Sequence, residues 1–183
     1  MLGADLSVRL YPTSGPRLRD HIQARMVEAL LEILDPSWHK LVEVAVRRPA
    51  RGSIDVVLGR ALSPVIAAEL HSDLRRLEQQ LRWASEKAAS LPSADAWAFL
   101  TEGGSNAEIS PLLVLRSTRT TRDLARAFER TLATAYPARI DEAVAALVHA
   151  DRPWPGAALI WADMMNDRAR ILPTPPRGVP LGR

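Results

Sequence analysis

The chain has 183 residues, of which 47% are hydrophobic and 25% are charged, and its formal net charge is +3. This length supports one well-formed hydrophobic core, and the composition is ordinary for a soluble globular protein. The absence of cysteine excludes disulfides and thiolate metal sites, and no apolar run is long enough to predict a transmembrane helix. No secretory signal is recognised at the start, so we expect a cytoplasmic protein.

The first predicted elements are a helix and a strand. Between Leu18 and Leu34 apolar residues recur at helical spacing, and Asp35-Pro36 predicts the end of the helix. Residues 41–46 alternate between the two faces of a strand, which places the three valines of this segment on one side.

Two further strands carry acidic residues among apolar ones. Residues 52–58 read GSIDVVL and residues 64–71 read PVIAAELH. Alternation puts Glu69 and His71 on one face, and it points Asp55 away from its apolar neighbours. The short connections predict an antiparallel meander of three strands. Because carboxylates are rarely buried without a partner, we expect Asp55 and Glu69 to share one cation.

The second half of the chain alternates helices with strands. Ser72 is the predicted N-cap of a helix that continues to Leu91, and a Pro-, Ser- and Gly-rich loop follows it. Residues 111–115 form a compact apolar run typical of a buried strand. Next come a helix from Thr120 or Thr121 to Leu132 and a second helix over residues 140–148.

The C-terminal part is predicted to be a hairpin and a tail. Asn166-Asp167 is a typical hairpin turn between two short strands. From Pro173 onward, prolines and glycines predict an extended, poorly ordered segment. The expected organisation is therefore one α/β domain over residues 1–172 and a Pro/Gly-rich tail over residues 173–183.

The order helix, three-strand meander, helix, strand resembles the core of the PD-(D/E)xK nuclease superfamily. The resemblance implies a restriction-endonuclease-like fold with additional helices and a C-terminal hairpin. It implies that Asp55 and Glu69 hold a metal ion, Mg or Mn, and that Glu28 or Glu32 from the first helix completes the site. Glu28 and Glu32 lie one helical turn apart, and the sequence does not choose between them.

The sequence departs from that family at His71, which stands where the family has a lysine. A histidine is mostly neutral at pH 7, so it could act as a general base or favour a softer ion, but it does not replace an ammonium group. Lys87, or an arginine at position 75, 76 or 82, could reach the site from the following helix. As a catalytic set, Asp55, Glu69 and His71 therefore predict little or no hydrolysis of DNA at neutral pH.

A second resemblance covers most of the chain. The segments SVRLYPTSGPRLRDH, AAELHSDLRRLEQQLRWASEKAASLP, LLVLRSTRTTRDLARAFERTLATAYPAR and WPGAALIW are similar to the C-terminal region of actinobacterial helix-turn-helix transcriptional regulators. In those proteins this region follows a DNA-binding head, and we expect none here because residues 1–4 leave no room for one. The resemblance implies a bacterial protein related to transcriptional regulators and associated with DNA.

Three functions follow as hypotheses. The first is a nuclease-fold domain with a degraded site that acts as a regulatory or accessory module; the second is a metal-dependent nuclease; the third is a structural or oligomerisation domain. In the third case Asp55 and Glu69 would pair with arginines such as Arg47 or Arg75. The expected partners are nucleic acid or a DNA-binding protein, with a homodimer left open and no membrane. The five tryptophans are expected to fill the edges of the core rather than to stack on bases.

Overall fold

A six-stranded sheet, in which every strand lies beside the next one in sequence, forms the centre of the fold. The computed structural model describes residues 21–61, 63–101 and 107–181. The strands are β1 (His39–Val46), β2 (Gly52–Gly59), β3 (Val65–His71), β4 (Ile109–Arg116), β5 (Ala158–Met165) and β6 (Arg168–Leu172). The pairs β1–β2, β2–β3 and β5–β6 are antiparallel, whereas β3–β4 and β4–β5 are parallel.

Helices pack around this sheet and give the fold its mixed α/β character. They are α1 (His21–Glu32), α2 (Leu77–Ala89), α3 (Trp97–Leu100), α4 (Arg119–Ala127), α5 (Glu129–Ala135) and α6 (Ile140–Val148), with a short 3-10 turn at Leu91–Ser93. In the part of the chain that the structure describes, none of them has the length and apolarity needed to cross a membrane.

The predicted order of elements is confirmed through the first half of the chain. The meander β1–β2–β3 is antiparallel, it lies between α1 and α2, and β4 follows. The hairpin at Asn166-Asp167 is also confirmed, since both residues have positive φ angles, 48° and 65°. Two consecutive positive φ angles match the right-handed twist of the flanking strands.

Two predicted helices have different bounds in the structure. α2 begins at Leu77, not after Ser72, because the backbone of Arg76 is not helical (φ −129°, ψ 72°) and Leu74 is already buried in the core before the helix starts. The single helix expected to end at Leu132 is interrupted at Phe128, whose ψ of 28° separates α4 from α5. The N-cap of α4 is Thr118, which accepts a hydrogen bond from the backbone N–H of Thr121.

The side-chain alternation of β1 and β2 is broken at one point. Residue 42 pairs with 56 and residue 44 with 54, so Glu43 and Asp55 lie opposite each other outside the paired register. Glu43 has a left-handed backbone (φ 53°), which is uncommon for a residue with a side chain. As a result Leu41 and Val44 pack in the same core while Val42 is 41% exposed. The expectation that all three valines share one face is therefore wrong.

Two hydrophobic cores lie against the sheet. The larger one gathers α1, α5, α6 and the central strands, and the smaller one lies between the meander and the segment from the end of α2 to α3. At the smaller core the backbones approach closely, since a Cβ atom at Gly59 would lie 2.5 Å from the carbonyl oxygen of Leu100. Residues 173–181 also contribute, because Val179 and Leu181 are buried in the larger core. This packing differs from the poorly ordered tail that the sequence predicted.

An arginine between β2 and β3 ties the meander to the end of α6. The Arg60 guanidinium lies 4.1 Å from the centre of the Trp38 ring. It also donates to the carbonyl oxygens of Ala146, His149 and Arg152, at 3.4, 3.4 and 2.9 Å. These carbonyls belong to the end of α6 and the loop after it, where helical partners are lacking.

Candidate functional site

Asp55 is held in place by the neighbouring strand and by the first helix. Its Oδ2 accepts a hydrogen bond from the backbone N–H of Leu70 at 2.8 Å and another from Gln23 Nε2 at 3.1 Å. Gln23 also donates to the carbonyl oxygen of Leu70 at 3.0 Å, so one side chain links α1 to both strands. Burial raises the pKa of Asp55, and the hydrogen bonds from Leu70 and Gln23 oppose that increase.

Glu69, on the adjacent strand, is 6% exposed and pairs with a lysine. Lys87 Nζ lies 2.5 Å from Glu69 Oε2 and also donates to the carbonyl oxygen of Ser53 at 3.0 Å. Glu69 Oε1 is buried and has no hydrogen-bond partner among the described residues. Burial, and after it the charge of Asp55, raise the pKa of Glu69 to about 8 against the opposing effect of Lys87. When Asp55 and Glu69 are both ionised, the single positive charge of Lys87 therefore does not balance their two negative charges.

Lys87 reaches the sheet from the last turn of α2. Its aliphatic stem passes Gly52 at the start of β2, where an added Cβ would lie 3.2 Å from Lys87 Cδ. A larger residue at position 52 would have to displace this stem. The absence of a side chain at Gly52 thus gives the ammonium group a path to the two carboxylates.

The arginines proposed as partners of the carboxylates are engaged elsewhere. Arg47 pairs with Asp95 at 2.8 Å, and Arg75 pairs with Asp73 at 2.5 Å. The arrangement in which each carboxylate is paired with an arginine, as expected for a purely structural role, is therefore not the one observed. Of the basic residues that the sequence offered as substitutes for the family lysine, Lys87 is the one that contacts a site carboxylate.

His71 follows Glu69 on the same strand and is neutral at pH 7. Burial, and secondly the charge of Lys87, lower its pKa to about 4. The imidazole therefore supplies no positive charge at neutral pH. This agrees with the expectation that it does not replace an ammonium group.

The two glutamates that were expected from the first helix lie away from these contacts. Glu28 is exposed and accepts a hydrogen bond from Arg25 at 2.9 Å, and Glu32 is also exposed. The residue of α1 that reaches Asp55 is Gln23, an amide five positions before Glu28. The helical period puts several positions of α1 over the sheet, so sequence alone could not identify which one lies above Asp55.

A third carboxylate approaches from the edge strand. Glu43 lies opposite Asp55, and its charge contributes to raising the pKa of Asp55 after the larger effect of burial. No group of three or more acidic, histidine or cysteine side chains within residues 21–61, 63–101 and 107–181 converges closely enough to hold a metal ion. The acidic centre is thus a pair, Asp55 and Glu69, with Glu43 beside it.

Lysine is rare in this sequence, and its rarity draws attention to position 87. Lys40 and Lys87 are the only lysines of the chain, and all its other permanently basic side chains are arginines. An arginine at position 87 would present a wider, planar head group that does not fit a single ammonium position. Gln23 and Glu43 give no comparable signal, because their proximity to Asp55 depends on tertiary packing and on the left-handed backbone at Glu43.

The donor atoms of the pair fit a hard divalent cation. Magnesium and manganese take carboxylate oxygens, and magnesium usually keeps several water ligands beside one or two carboxylates. Within the described parts of the chain, Glu69 Oε1 is a buried acceptor without a donor, which is the kind of atom that a cation would satisfy. Comparison with protein families, with curated proteins and with solved structures gave no match to this chain.

Proposed function

We propose that this chain is a metal-dependent nuclease of restriction-endonuclease-like type, and that Asp55, Glu69 and Lys87 form its active site. The observation that carries the proposal is the ion pair between Lys87 Nζ and Glu69 Oε2 at 2.5 Å, beside the half-buried carboxylate of Asp55. Two acids and an ammonium group are what the PD-(D/E)xK pattern requires. Here the lysine comes from α2, and position 71 holds a neutral histidine.

The two carboxylates are the residues that would hold Mg or Mn. When bound, such an ion activates a water molecule and neutralises charge on the phosphate. Gln23 is a positioning residue, since its amide fixes the rotamer of Asp55 from the side of α1. The orphaned Oε1 of Glu69 supports this assignment, because it has no donor in the described part of the chain.

Lys87 supplies the fixed positive charge that His71 cannot supply. In hydrolysis of a phosphodiester the water oxygen bonds to phosphorus, the bond to the leaving sugar oxygen breaks, and that oxygen takes up a proton. Negative charge increases on the phosphoryl oxygens during this step, and a preorganised cation stabilises it. The ammonium group contacts Glu69, one of the two carboxylates that would hold the metal, so its charge would also act on a phosphate bound there.

The test is cleavage of plasmid and single-stranded DNA with magnesium and then with manganese. Replacing Lys87 by Ala is expected to lower the rate about 100- to 1000-fold, the loss typical of removing one preorganised charge donor. Asp55→Asn is expected to abolish metal-dependent cleavage. His71→Gln is expected to retain most of it, because the imidazole carries no charge at pH 7.

Lys40→Ala is the matched control, because it removes the other lysine of the chain from an exposed position on β1. It should leave the rate unchanged. Cleavage that is equally fast in Lys87→Ala and in the unmodified protein would contradict the assignment of Lys87. Cleavage that persists in Asp55→Asn would point to a contaminating nuclease.

The second candidate is the degraded nuclease fold acting as a regulatory or accessory module related to transcriptional regulators. The observation that favours it is the amide of Gln23 at the point of α1 where the family resemblance implies an acid. If the unmodified protein cuts neither substrate with either metal, yet binds manganese through Asp55 and Glu69, this candidate replaces the first. Manganese binding is measured by electron paramagnetic resonance in titrations of the unmodified protein and Asp55→Asn. The signal of the free ion decreases as the ion binds.

A further inference from the structure

The exposed side of α2 carries an aromatic ring that lies outside the hydrophobic core. Trp83 is 54% exposed, whereas Trp38, Trp154 and Trp161 are each less than a tenth exposed. The expectation that all tryptophans fill the edges of the core is therefore wrong for Trp83. A large, half-exposed indole on a polar helix face has a stacking surface free for a partner.

Trp83 borders a shallow depression of about 350 Å³. Its lining combines basic, amide and aromatic side chains, namely Arg75, Arg76, Gln79, Gln80 and Trp83. These groups match the three parts of a nucleotide, because guanidinium groups bind phosphate, amides bond to base edges and indole stacks on a base. Gln80 is half-buried beside Trp83, so its side chain forms part of the floor of the depression.

This depression and the proposed active site lie along the same side of α2. With 3.6 residues per turn, positions 80, 83 and 87 follow one stripe, and the acids Glu78 and Glu86 fall outside it. Arg76 precedes the helix, and its carbonyl oxygen accepts a hydrogen bond from the backbone N–H of Gln80 at 3.0 Å. Lys87 is four residues beyond Trp83, a rise of about 6 Å along the helix. One nucleotide of an extended strand spans this distance.

The charges near the stripe also favour an anionic occupant. Arg75 is paired with Asp73, and Arg82 lies 3.9 Å from Glu86. Arg76 forms no ion pair within the part of the chain that the structure describes, and it is exposed. Its guanidinium is therefore available for a phosphate at the end of the depression that lies away from Lys87.

We propose that the depression is a nucleotide subsite for single-stranded nucleic acid. The base next to the scissile phosphate stacks on Trp83, and Arg76 contacts a phosphate further along the strand. The inference deepens the proposed function and rests on it for the position of the scissile phosphate. A paired base is covered on both faces by its neighbours, so a single indole on a convex helix can stack only on an unpaired base.

The experiment measures fluorescence anisotropy of a labelled short oligothymidylate and of a duplex, with EDTA present and in the Asp55→Asn background, so that no cleavage occurs. Trp83→Ala is expected to weaken binding of the single strand about 5- to 100-fold, and Trp83→Phe to recover most of the loss. Arg76→Ala is expected to weaken binding and to reduce its salt dependence. Duplex binding is expected to be weaker and to be independent of Trp83.

Two variants serve as matched controls. Phe99→Ala removes another aromatic side chain, 56% exposed, on α3, and Arg168→Ala removes an exposed arginine from β6. Each should change the affinity less than twofold. Equal losses in Arg168→Ala and Arg76→Ala would overturn the subsite, because they would indicate non-specific attraction to the surface as a whole.

Other outcomes also overturn the proposal. These are the absence of binding at low salt, binding that Trp83→Ala leaves unchanged, and equal dependence of duplex binding on Trp83. Self-association that Trp83→Ala abolishes in gel filtration would identify the indole as a contact between two copies of the chain. Failure of the two proposals is distinguishable: Trp83-dependent binding without cleavage retains the subsite alone, and cleavage without Trp83 dependence retains the nuclease alone.

Discussion

At the scale of single residues, the site depends on how burial acts on charged side chains. Asp55 and Glu69 both have raised pKa values, chiefly because they are withdrawn from water. The charge of Asp55 raises the pKa of Glu69 further, and the charge of Glu43 adds a smaller increase to the pKa of Asp55. Lys87 offsets part of the free energy that burial of Glu69 costs, through its contact with that carboxylate. The cation that we propose between the two acids would offset the remainder of this free energy.

His71 gives the protein a stability that depends on pH. Its pKa is about 4 in the folded protein and close to 6.5 when unfolded, so the unfolded chain takes up a proton that the folded chain does not. This contribution is complete above pH 6.5 and is lost as the pH falls toward 4. Between pH 7 and pH 5 the free energy of unfolding should therefore fall by up to about 2 kcal/mol on account of His71.

The measurement is urea unfolding of the metal-free protein at pH 7 and pH 5. The variant His71→Gln should lose most of the His71 contribution to this difference, whereas His149→Gln, at an exposed position on the surface, should keep it. An unchanged pH dependence in His71→Gln would show that the imidazole is protonated in the folded state.

At the scale of elements, the meander and its two helices follow from the sequence, and the exceptions have local causes. The apolar periods of residues 41–46, 52–58 and 64–71 predict three strands that the structure contains. The faces of β1 were predicted wrongly because Glu43 adopts a left-handed backbone, which no apolar pattern reveals. Likewise α2 starts later than Ser72 suggested, since the backbone of Arg76 is not helical and Leu74 is already buried in the core before the helix begins.

For the proposed site, the sequence predicted the two strand residues and left the helix residues open. Asp55 and Glu69 are recognisable because acids are rare on buried strands. Lys87 was one of several basic residues on α2 that could reach them, and its selection depends on the geometry around Gly52. Gln23 was not predicted, because the position of α1 over the sheet is set by tertiary packing.

The contact between β2 and α3 predicts an effect of adding one methyl group. A Cβ at Gly59 would lie 2.5 Å from the Leu100 carbonyl oxygen, and this neighbour is backbone that cannot rotate away. Gly59→Ala should therefore destabilise the protein by roughly 2 kcal/mol, as overpacking of a core does. Urea unfolding measures the change.

Gly52→Ala is the comparison at the other end of the same strand. Its Cβ would lie 3.2 Å from Lys87 Cδ, a flexible side chain that can move, so the expected loss of stability is under about 1 kcal/mol. If Gly59→Ala were as stable as the unmodified protein, β2 and α3 would not approach each other as closely as described.

At the scale of the whole molecule, Arg60 connects the meander to the end of α6. Its guanidinium packs on Trp38 and donates to three carbonyl groups after and within α6. Arg60→Ala should lower the free energy of unfolding by roughly 1–3 kcal/mol, because those carbonyls lose a charged donor. Arg60→Lys should recover little, since an ammonium group lacks the planar fork that reaches several acceptors.

Chemical denaturation of the two variants and of Arg168→Ala tests this connection. Arg168 is exposed on β6 and serves as the control for loss of one arginine charge. Equal stability of Arg60→Ala and Arg168→Ala would mean that the contacts of Arg60 contribute nothing to holding the meander on α6.

The order of the strands has a consequence for loop-closure entropy. Asp55 and Leu70 are 15 residues apart, and Glu69 and Lys87 are 18 residues apart. The parallel pairs are far more distant along the chain, since Val65 lies beside Ile109 and Leu112 beside Ala158. Closing a loop costs more entropy as the loop lengthens, although the increase is slow. Asp55, Glu69 and Lys87 therefore come together by closing shorter loops than those that must close when the parallel strand pairs form.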